Sequence, residues 1–509
     1  MLEADHEREK DKMTDEMKPA RVRFAPSPTG RLHLGGARTA LYDYLIAKKT
    51  GGQFILRIED TDRTRYVPTA EQEIIDGLHW LGIEWDEGPD IGGPYGPYRQ
   101  TERKEIYQKV AEQLVEMGAA YYCFCTPERL EEMRKQQAEK NEFPHYDGHC
   151  RDIPLEEAKR RVAAGEPHVV RLKVPHEGTT VVHDMLRGDI AIDNKQLEDA
   201  IILKTDGWAL YHLAAMVDDH MMGITHVIRS SEWLPSLPLH HMIYEALGWD
   251  EPEWVHLSVL LSPSGKGKLS KRESEELLKQ GYAVFLTDFE ELGYIPEAVT
   301  NWIAQMGASF DGENDFFTMD DLIEKFSFEH LNPAPAAMNF LKLDHFNGAH
   351  IRSLSREDLA QRLVPFFKKA GIDTDYEGVY KVVPCIQERM VKLTDGPEVA
   401  RFLFEEDIPP VMDQLMQKKL EISDCIKIAE RSYEVISGLE DFTAAGMEQP
   451  LRDMVGELGY KPGQVFGLLR GAISGQKVTP PLFDCMEVIG KEKVLQRIAD
   501  AIEFLKANS

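Results

Sequence analysis

The fold class that this sequence predicts is an α/β domain on a parallel sheet, followed by an all-α domain. Three observations carry it. The chain opens on a strand, a turn-rich run and a helix, with glycines at the helix entrance. Strands and helices then alternate, the pattern that builds a parallel sheet. After about residue 350 the apolar spacing becomes helical almost throughout.

Residues 21–25 read as the first strand, and Pro26-Ser27-Pro28-Thr29-Gly30 and His33-Leu34-Gly35-Gly36 as the turn region. Residues 37–48 favour helix, with Leu41, Tyr42 and Leu45 on one face. Residues 53–58 form a second strand ending in Glu59-Asp60, and a helix follows from about Pro68, with the proline in its first turn. A glycine- and proline-rich loop spans residues 92–97. Ile106, Tyr107, Val110, Leu114 and Met117 then mark an amphipathic helix that stops at Gly118. Thr126-Pro127 is an N-cap followed by a first-turn proline. Short strand patterns over residues 169–202 predict an insertion with its own small sheet, and the α/β pattern returns over 208–228. Val494, Leu495, Ile498, Ile502 and Leu505 share one face of the last helix.

A chain of 509 residues implies two to five domains, and 42% apolar residues is ordinary for a globular protein. No run of eighteen apolar residues is present, so no membrane segment is expected. The first residues are charged and polar and are expected to be a disordered tail, and the protein to be soluble and cytoplasmic. A net charge of −28 argues against nucleic acid only weakly, because a basic groove can sit on an acidic body. Six cysteines in this length make no disulfide scaffold. Cys385, Cys425 and Cys485 are scattered and read as core residues; Cys123, Cys125 and Cys150 are spaced like metal ligands.

Two short segments carry the chemistry. His33-Leu34-Gly35-Gly36 by itself is a tight turn at a helix start, and Lys268-Leu269-Ser270-Lys271-Arg272 by itself a solvated basic loop. In this order, with their surroundings, they resemble the HIGH and KMSKS signatures of class I aminoacyl-tRNA synthetases. The chemistry agrees. Forming an adenylate from ATP builds charge on phosphates, which pre-placed donors must meet. Glycines let backbone approach ATP, and a helix N-terminus favours anions. The resemblance implies an ATP site, with Mg²⁺ on the phosphates, made of Gly30, His33, Gly35, Gly36, Lys268, Ser270 and Lys271. His33, Lys268 and Lys271 would be its catalytic groups, and Lys271 matches the lysine that contacts ATP in the family.

Residues 23–30, Arg-Phe-Ala-Pro-Ser-Pro-Thr-Gly, narrow the resemblance to the glutamyl-tRNA synthetase family; glutaminyl enzymes carry Pro-Glu-Pro-Asn-Gly at the latter part of this run. The run from Arg57 to Arg63, Tyr211-His212-Leu213-Ala214, Asp218-Asp219-His220, Arg229 and Glu232-Trp233 are similar to the same family. The similarity extends from about residue 21 to the C-terminus. It implies a Rossmann-like catalytic domain in two halves, residues 21–100 and 211–257, after a tail over 1–20. An acceptor-end-binding insertion over 101–210, a KMSKS loop and stem-contact region over 258–350, and a helical anticodon-binding domain over 351–509 complete it. The implied reaction joins L-glutamate to tRNA(Glu) through glutamyl-adenylate, in a monomer.

The resemblance also assigns the amino-acid pocket. Arg23 and Arg229 would hold carboxylates, Arg23 being the first choice for the side-chain carboxylate. Ala25 and Ser27 would line the pocket, Glu59 would take the ammonium and Tyr211 would close it. Ala215 stands where the family has asparagine, and Glu273-Ser274 where it often has His-Gly. Cys123-x-Cys125, then 24 residues, then Cys150 resembles the family's zinc knuckle. Its fourth ligand is often a histidine two residues later; Asp152 occupies that position and His149 is the alternative for Zn²⁺. Arg470, Thr479, Pro480 and Leu482 match the anticodon-reading segment, and Arg389 the arginine that reads the third anticodon base.

Overall fold

A computed structural model of the chain describes residues 18–142, 144–265, 267 and 274–509. The expectations for residues 1–17, Lys268, Ser270 and Lys271 lie outside the described residues. The chain divides into two compact units. The first runs to Asp288 and resumes over Val299–Phe340; the second comprises Phe289–Ala298 and Leu341–Ser509.

In the first unit, β1 (Arg21–Phe24) pairs in parallel with β2 (Gln53–Leu56), Val22 opposite Phe54. Between them, α1 (Leu34–Thr50) begins three residues before the predicted start. Gly35 and Gly36 fall in its first turn, where the N–H groups have no intrahelical partners in any case, and the His33 side chain caps one of them. The helix ends at Gly51 in the left-handed conformation, and a Cβ on Gly52 would meet the Ala20 carbonyl oxygen at 1.9 Å, so this crossover needs glycine. Helix α2 (Ala70–Trp80) starts after Thr69, so Pro68 precedes the helix instead of sitting in its first turn.

Helix α3 (Lys104–Glu116), β3 (Ala120–Cys123), α4 (Pro127–Glu139), α5 (Leu155–Ala163) and β4 (Val169–Leu172) follow. Thr126 caps α4 by accepting from the Arg129 N–H. Next come β5 (Thr179–Asp184), β6 (Gly188–Asp193), β7 (Ile201–Leu203), α6 (Tyr211–Met221), β8 (His226–Ser230), α7 (Leu237–Leu247) and β9 (Glu253–Leu257).

Only part of the strand-rich stretch forms a sheet of its own. Strands β3, β4 and β7 make a small antiparallel sheet. The β5–β6 hairpin instead joins the larger sheet, in the order β6-β5-β9-β8, through Asp184 opposite Trp254. Alternation tells that one face of a hairpin is covered, not which distant strand it pairs with. Strand β1 lies beside β8, where the Thr225 N–H donates to the Arg21 carbonyl at 2.8 Å. The parallel strands β2, β1, β8 and β9 therefore end at one edge, where ligands of open α/β sheets bind.

The second unit is helical up to its last helix, Lys491–Ala507. Val494, Ile498 and Leu505 of the predicted face are buried, but Leu495 and Ile502 are half-exposed. Arg497 and Ala501 take the inner positions, the arginine donating to the carbonyls of Ile473 and Glu405. Cys385, Cys425 and Cys485 are buried. No helix is long and apolar enough to cross a membrane among the described residues.

Asp43 is fully buried on α1, and among the described residues neither carboxyl oxygen has a hydrogen-bond partner. Burial pushes its pKa well above the usual 3.8. Above that usual value the unfolded chain releases the proton while the folded chain keeps it, so stability falls as pH rises toward the folded value. Asp43→Asn should therefore raise the melting temperature by several degrees at neutral pH, with the gain shrinking near pH ~4. Thermal melts of both proteins at the two pH values check this; an unchanged or lower neutral-pH melt would show a carboxylate that the fold needs.

Candidate active site

The turn region between β1 and α1 opens a cavity of about 610 Å³, lined by Ser27, Gly30, His33, Gly35, Gly36 and, from the far side, Ser230 and Glu232. Gly30 has φ of +134° with open space around it, so glycine is required there by conformation alone. A Cβ on Gly36 would come within 3.1 Å of Leu32. His33 Nδ1 accepts from the Gly35 N–H at 3.0 Å, which puts the ring proton on Nε2. His33 is thus an Nε2–H donor at the N-terminus of α1, a place that favours anions. Ala25, half-buried, follows β1 directly.

Arg38 also borders this cavity, donating to the carbonyls of Met306 and Ser258. The sequence reading missed it. The available signal was a charged residue in phase with Leu34, Leu41 and Leu45 on the buried face of α1.

Beneath the strand ends, three arginines meet three carboxylates. Arg23 Nε and Nη2 donate to Asp219 at 2.8 and 3.2 Å. Arg57 donates to Asp219 at 2.7 Å and to Glu59 at 3.1 Å, and its Nε lies 3.7 Å from Asp218. Arg103 donates to Asp218 at 2.7 Å, where Gln100 and Tyr107 donate as well. Burial pushes the Asp219 carboxyl up, and Arg23 and Arg57 together pull it below its ordinary value. Glu59 stays raised because burial outweighs Arg57 and Arg23.

Arg229, at the end of β8, differs. Its Nε donates to His256 Nε2 at 2.9 Å, its Nη2 to His240 Nδ1 at 3.0 Å, and its Nη1 lies 3.5 Å from the Tyr211 hydroxyl. The guanidinium lies over the Trp254 ring at 4.7 Å, and among the described residues no carboxylate pairs with it. Tyr211 stacks on Trp233 at 3.9 Å. Ala215 is fully buried in the core on α6.

The three cysteines come together. Their sulfurs lie within 4.8 Å of one another, with 3.6 Å between Cys125 and Cys150. Asp152 and His149 are not in this cluster; both are exposed on the turn around Cys150. The fourth polar atom there is the Tyr146 hydroxyl, 3.3 Å from Cys123 Sγ and 3.6 Å from Cys125 Sγ. The Cys150 N–H donates to that oxygen at 3.0 Å, and Arg171 stacks on the ring at 3.8 Å. Hydrogen bonds from Cys150 and Tyr146 lower the Cys123 thiol against the effect of burial.

In the second unit, Arg389 is exposed and Arg470 half-buried, whereas Thr479, Pro480 and Leu482 are buried. The Thr479 hydroxyl donates to the Pro480 carbonyl at 2.9 Å, so it is turned inward.

Residues 19–345 match the family described as tRNA synthetases class I (E and Q), catalytic domain, and residues 358–502 match the anticodon binding domain family. A Dehalococcoides mccartyi protein named glutamate–tRNA ligase is 44% identical over 498 residues, covering 97% of this chain and 99% of that one. A Thermus thermophilus protein of the same name is 44% identical over 94% of this chain and 99% of its own length. The chain belongs to the glutamate–tRNA ligases. The crystal structure of a glutamate tRNA ligase from Elizabethkingia meningosepticum in complex with its amino acid is 38% identical to this ligase, with a TM-score of 0.88 over 96% of this chain and 100% of that one. Synthetases of this family bind an amino acid, ATP with Mg²⁺, and tRNA.

Asp219 is the hub that two buried arginines of this ligase share. Removing its charge while keeping its shape should cost about 3–5 kcal/mol, because Arg23 and Arg57 would stay buried with too few anions. Asp219→Asn should therefore unfold at a clearly lower urea concentration than the parent; a shift below about 1 kcal/mol would mean that the arginines find other anions or water.

Proposed function

We propose that the chain activates L-glutamate in a pocket whose selectivity comes from Arg229, and transfers it to tRNA(Glu). The observation that carries this reading is one of charge. Arg23, Arg57 and Arg103 are matched by Glu59, Asp218 and Asp219, whereas Arg229 has no carboxylate partner among the described residues. Glutamate brings two carboxylates and one ammonium, a net charge of minus one. Glutamine is nearly isosteric and brings none, so it would leave Arg229 unmet.

Arg229 takes the side-chain carboxylate. The α-carboxylate has to attack the α-phosphorus of ATP, and a strong ion pair would hold it back. One of its oxygens bonds to that phosphorus as the bond to pyrophosphate breaks. Glu59 receives the ammonium, Ala25 and Ser27 line the pocket together with Arg23, and Tyr211 closes it against Trp233. His33 Nε2–H, with the N-terminus of α1 at Gly35 and Gly36, meets the phosphates; Lys268, Ser270 and Lys271 act on the leaving pyrophosphate. A ribose hydroxyl at the tRNA terminus then attacks the activated carbonyl carbon and AMP leaves. Arg389 and Arg470 offer donors to anticodon bases, and the buried Thr479, Pro480 and Leu482 hold the shape of that surface.

In tRNA-dependent ATP–pyrophosphate exchange, Arg229→Gln should lower kcat/KM for glutamate by roughly 100-fold, the worth of a buried charged hydrogen bond, and change residual glutamine activation only a few-fold. Equal losses for both amino acids would remove Arg229 from selectivity.

We propose further that Cys123, Cys125 and Cys150 hold zinc, with the Tyr146 oxygen as fourth donor in place of Asp152. Zinc–sulfur bonds of about 2.3 Å in a tetrahedron put the sulfurs roughly 3.8 Å apart, close to the 3.6 Å between Cys125 and Cys150. Elemental analysis of protein purified without chelators should find about one zinc per chain, retained in Asp152→Ala and weakened in Tyr146→Phe. Loss of metal in Asp152→Ala alone would reverse the assignment.

A further inference from the structure

We infer that His240 and His256 are positioning residues that hold Arg229 through neutral ring nitrogens, so that its charge stays available to the substrate. This rests on the reading of Arg229 given above and deepens it. A guanidinium only donates hydrogen bonds. Its Nε faces His256 Nε2 and its Nη2 faces His240 Nδ1, so both ring nitrogens must be lone-pair acceptors. The remaining protons are then fixed. His256 carries its proton on Nδ1 and donates to Asp184 at 2.7 Å; His240 carries its proton on Nε2 and donates to His212 Nδ1 at 3.0 Å. Every hydrogen bond in the chain points away from Arg229. Asp184 also accepts the backbone N–H groups of Leu186, Arg187 and His256, which sets its orientation beneath the His256 ring.

The other pocket arginines show the alternative. Arg23, Arg57 and Arg103 are each gripped by carboxylates, which fix a guanidinium firmly but neutralise it. Around Arg229 the same mechanical task falls to two imidazoles and an indole face. Burial, with Arg229 alongside, pushes His240 well below the usual histidine value and lowers His256. Both directions agree with the acceptor role that the donor-only guanidinium imposes on the two rings.

A matched pair of variants separates holding from charge. Asn and Asp at position 240 are nearly isosteric and both place an oxygen near the Nδ1 position, but only Asp brings a negative charge. In tRNA-dependent ATP–pyrophosphate exchange with the full chain, His240→Asp should raise the glutamate KM by roughly 30-fold more than His240→Asn, with kcat changing far less, because Arg229 gains an internal counter-ion. Discrimination against glutamine should narrow in the Asp variant only. His256→Gln and His256→Glu repeat the comparison at the Nε2 position, so a folding defect at one site does not decide the matter. Equal glutamate KM values within both pairs would overturn the inference. Arg229→Gln runs alongside: an unchanged glutamate KM there would overturn the underlying reading of Arg229, whereas a raised KM with equal pairs would overturn only the role of the histidines.

Discussion

Burying three guanidinium groups under the ends of a parallel sheet is the constraint on which the first unit depends. Each ion alone would cost several kcal/mol to remove from water, and only close pairing with shaped acceptors offsets that. Asp218 and Asp219 do this from consecutive positions on α6. Neighbouring residues on a helix point about 100° apart, so Asp218 reaches Arg103, Gln100 and Tyr107 while Asp219 reaches Arg23 and Arg57. The network ties β1, the end of β2 and α6 together, and the pocket walls come with it.

The pocket is thus built from two kinds of arginine site. In one kind buried carboxylates pair with the guanidinium, and in the other neutral rings hold it. On the nucleotide side the solution is different again: backbone N–H groups at a glycine-rich helix entrance, and one histidine whose tautomer is set by its own cap bond. Both are local arrangements of donors, so a net charge of −28 does not by itself tell against anionic ligands.

Much of this was legible beforehand, though unevenly. The strand–turn–helix at the start was readable because glycine, proline and apolar spacing are local signals. The β5–β6 hairpin was misplaced because its pairing with β9 joins residues some seventy positions apart. The zinc-like cluster shows the same limit at smaller scale. Cysteine spacing identified Cys123, Cys125 and Cys150, but the neighbouring oxygen belongs to Tyr146, a residue type that ligand spacing rules do not single out. In the second unit the matched positions Thr479, Pro480 and Leu482 turned out to be buried, since a motif preserves a segment's identity without saying which of its side chains face outward.

The sequence by itself determined the chemistry available: which residues bear charge, where glycines open the backbone, and which signature segments stand in which order. Those depend on residue type and near-neighbour spacing, and both survive in a linear chain. How each arginine is paired is another matter. The sequence placed Arg23 and Arg229 together as carboxylate ligands, and only packing shows that Asp219 pairs with Arg23 while Arg229 rests on histidines. Charge compensation is a sum over neighbours within a few ångströms, and at this site those neighbours are supplied by strands and helices that meet only when the chain folds.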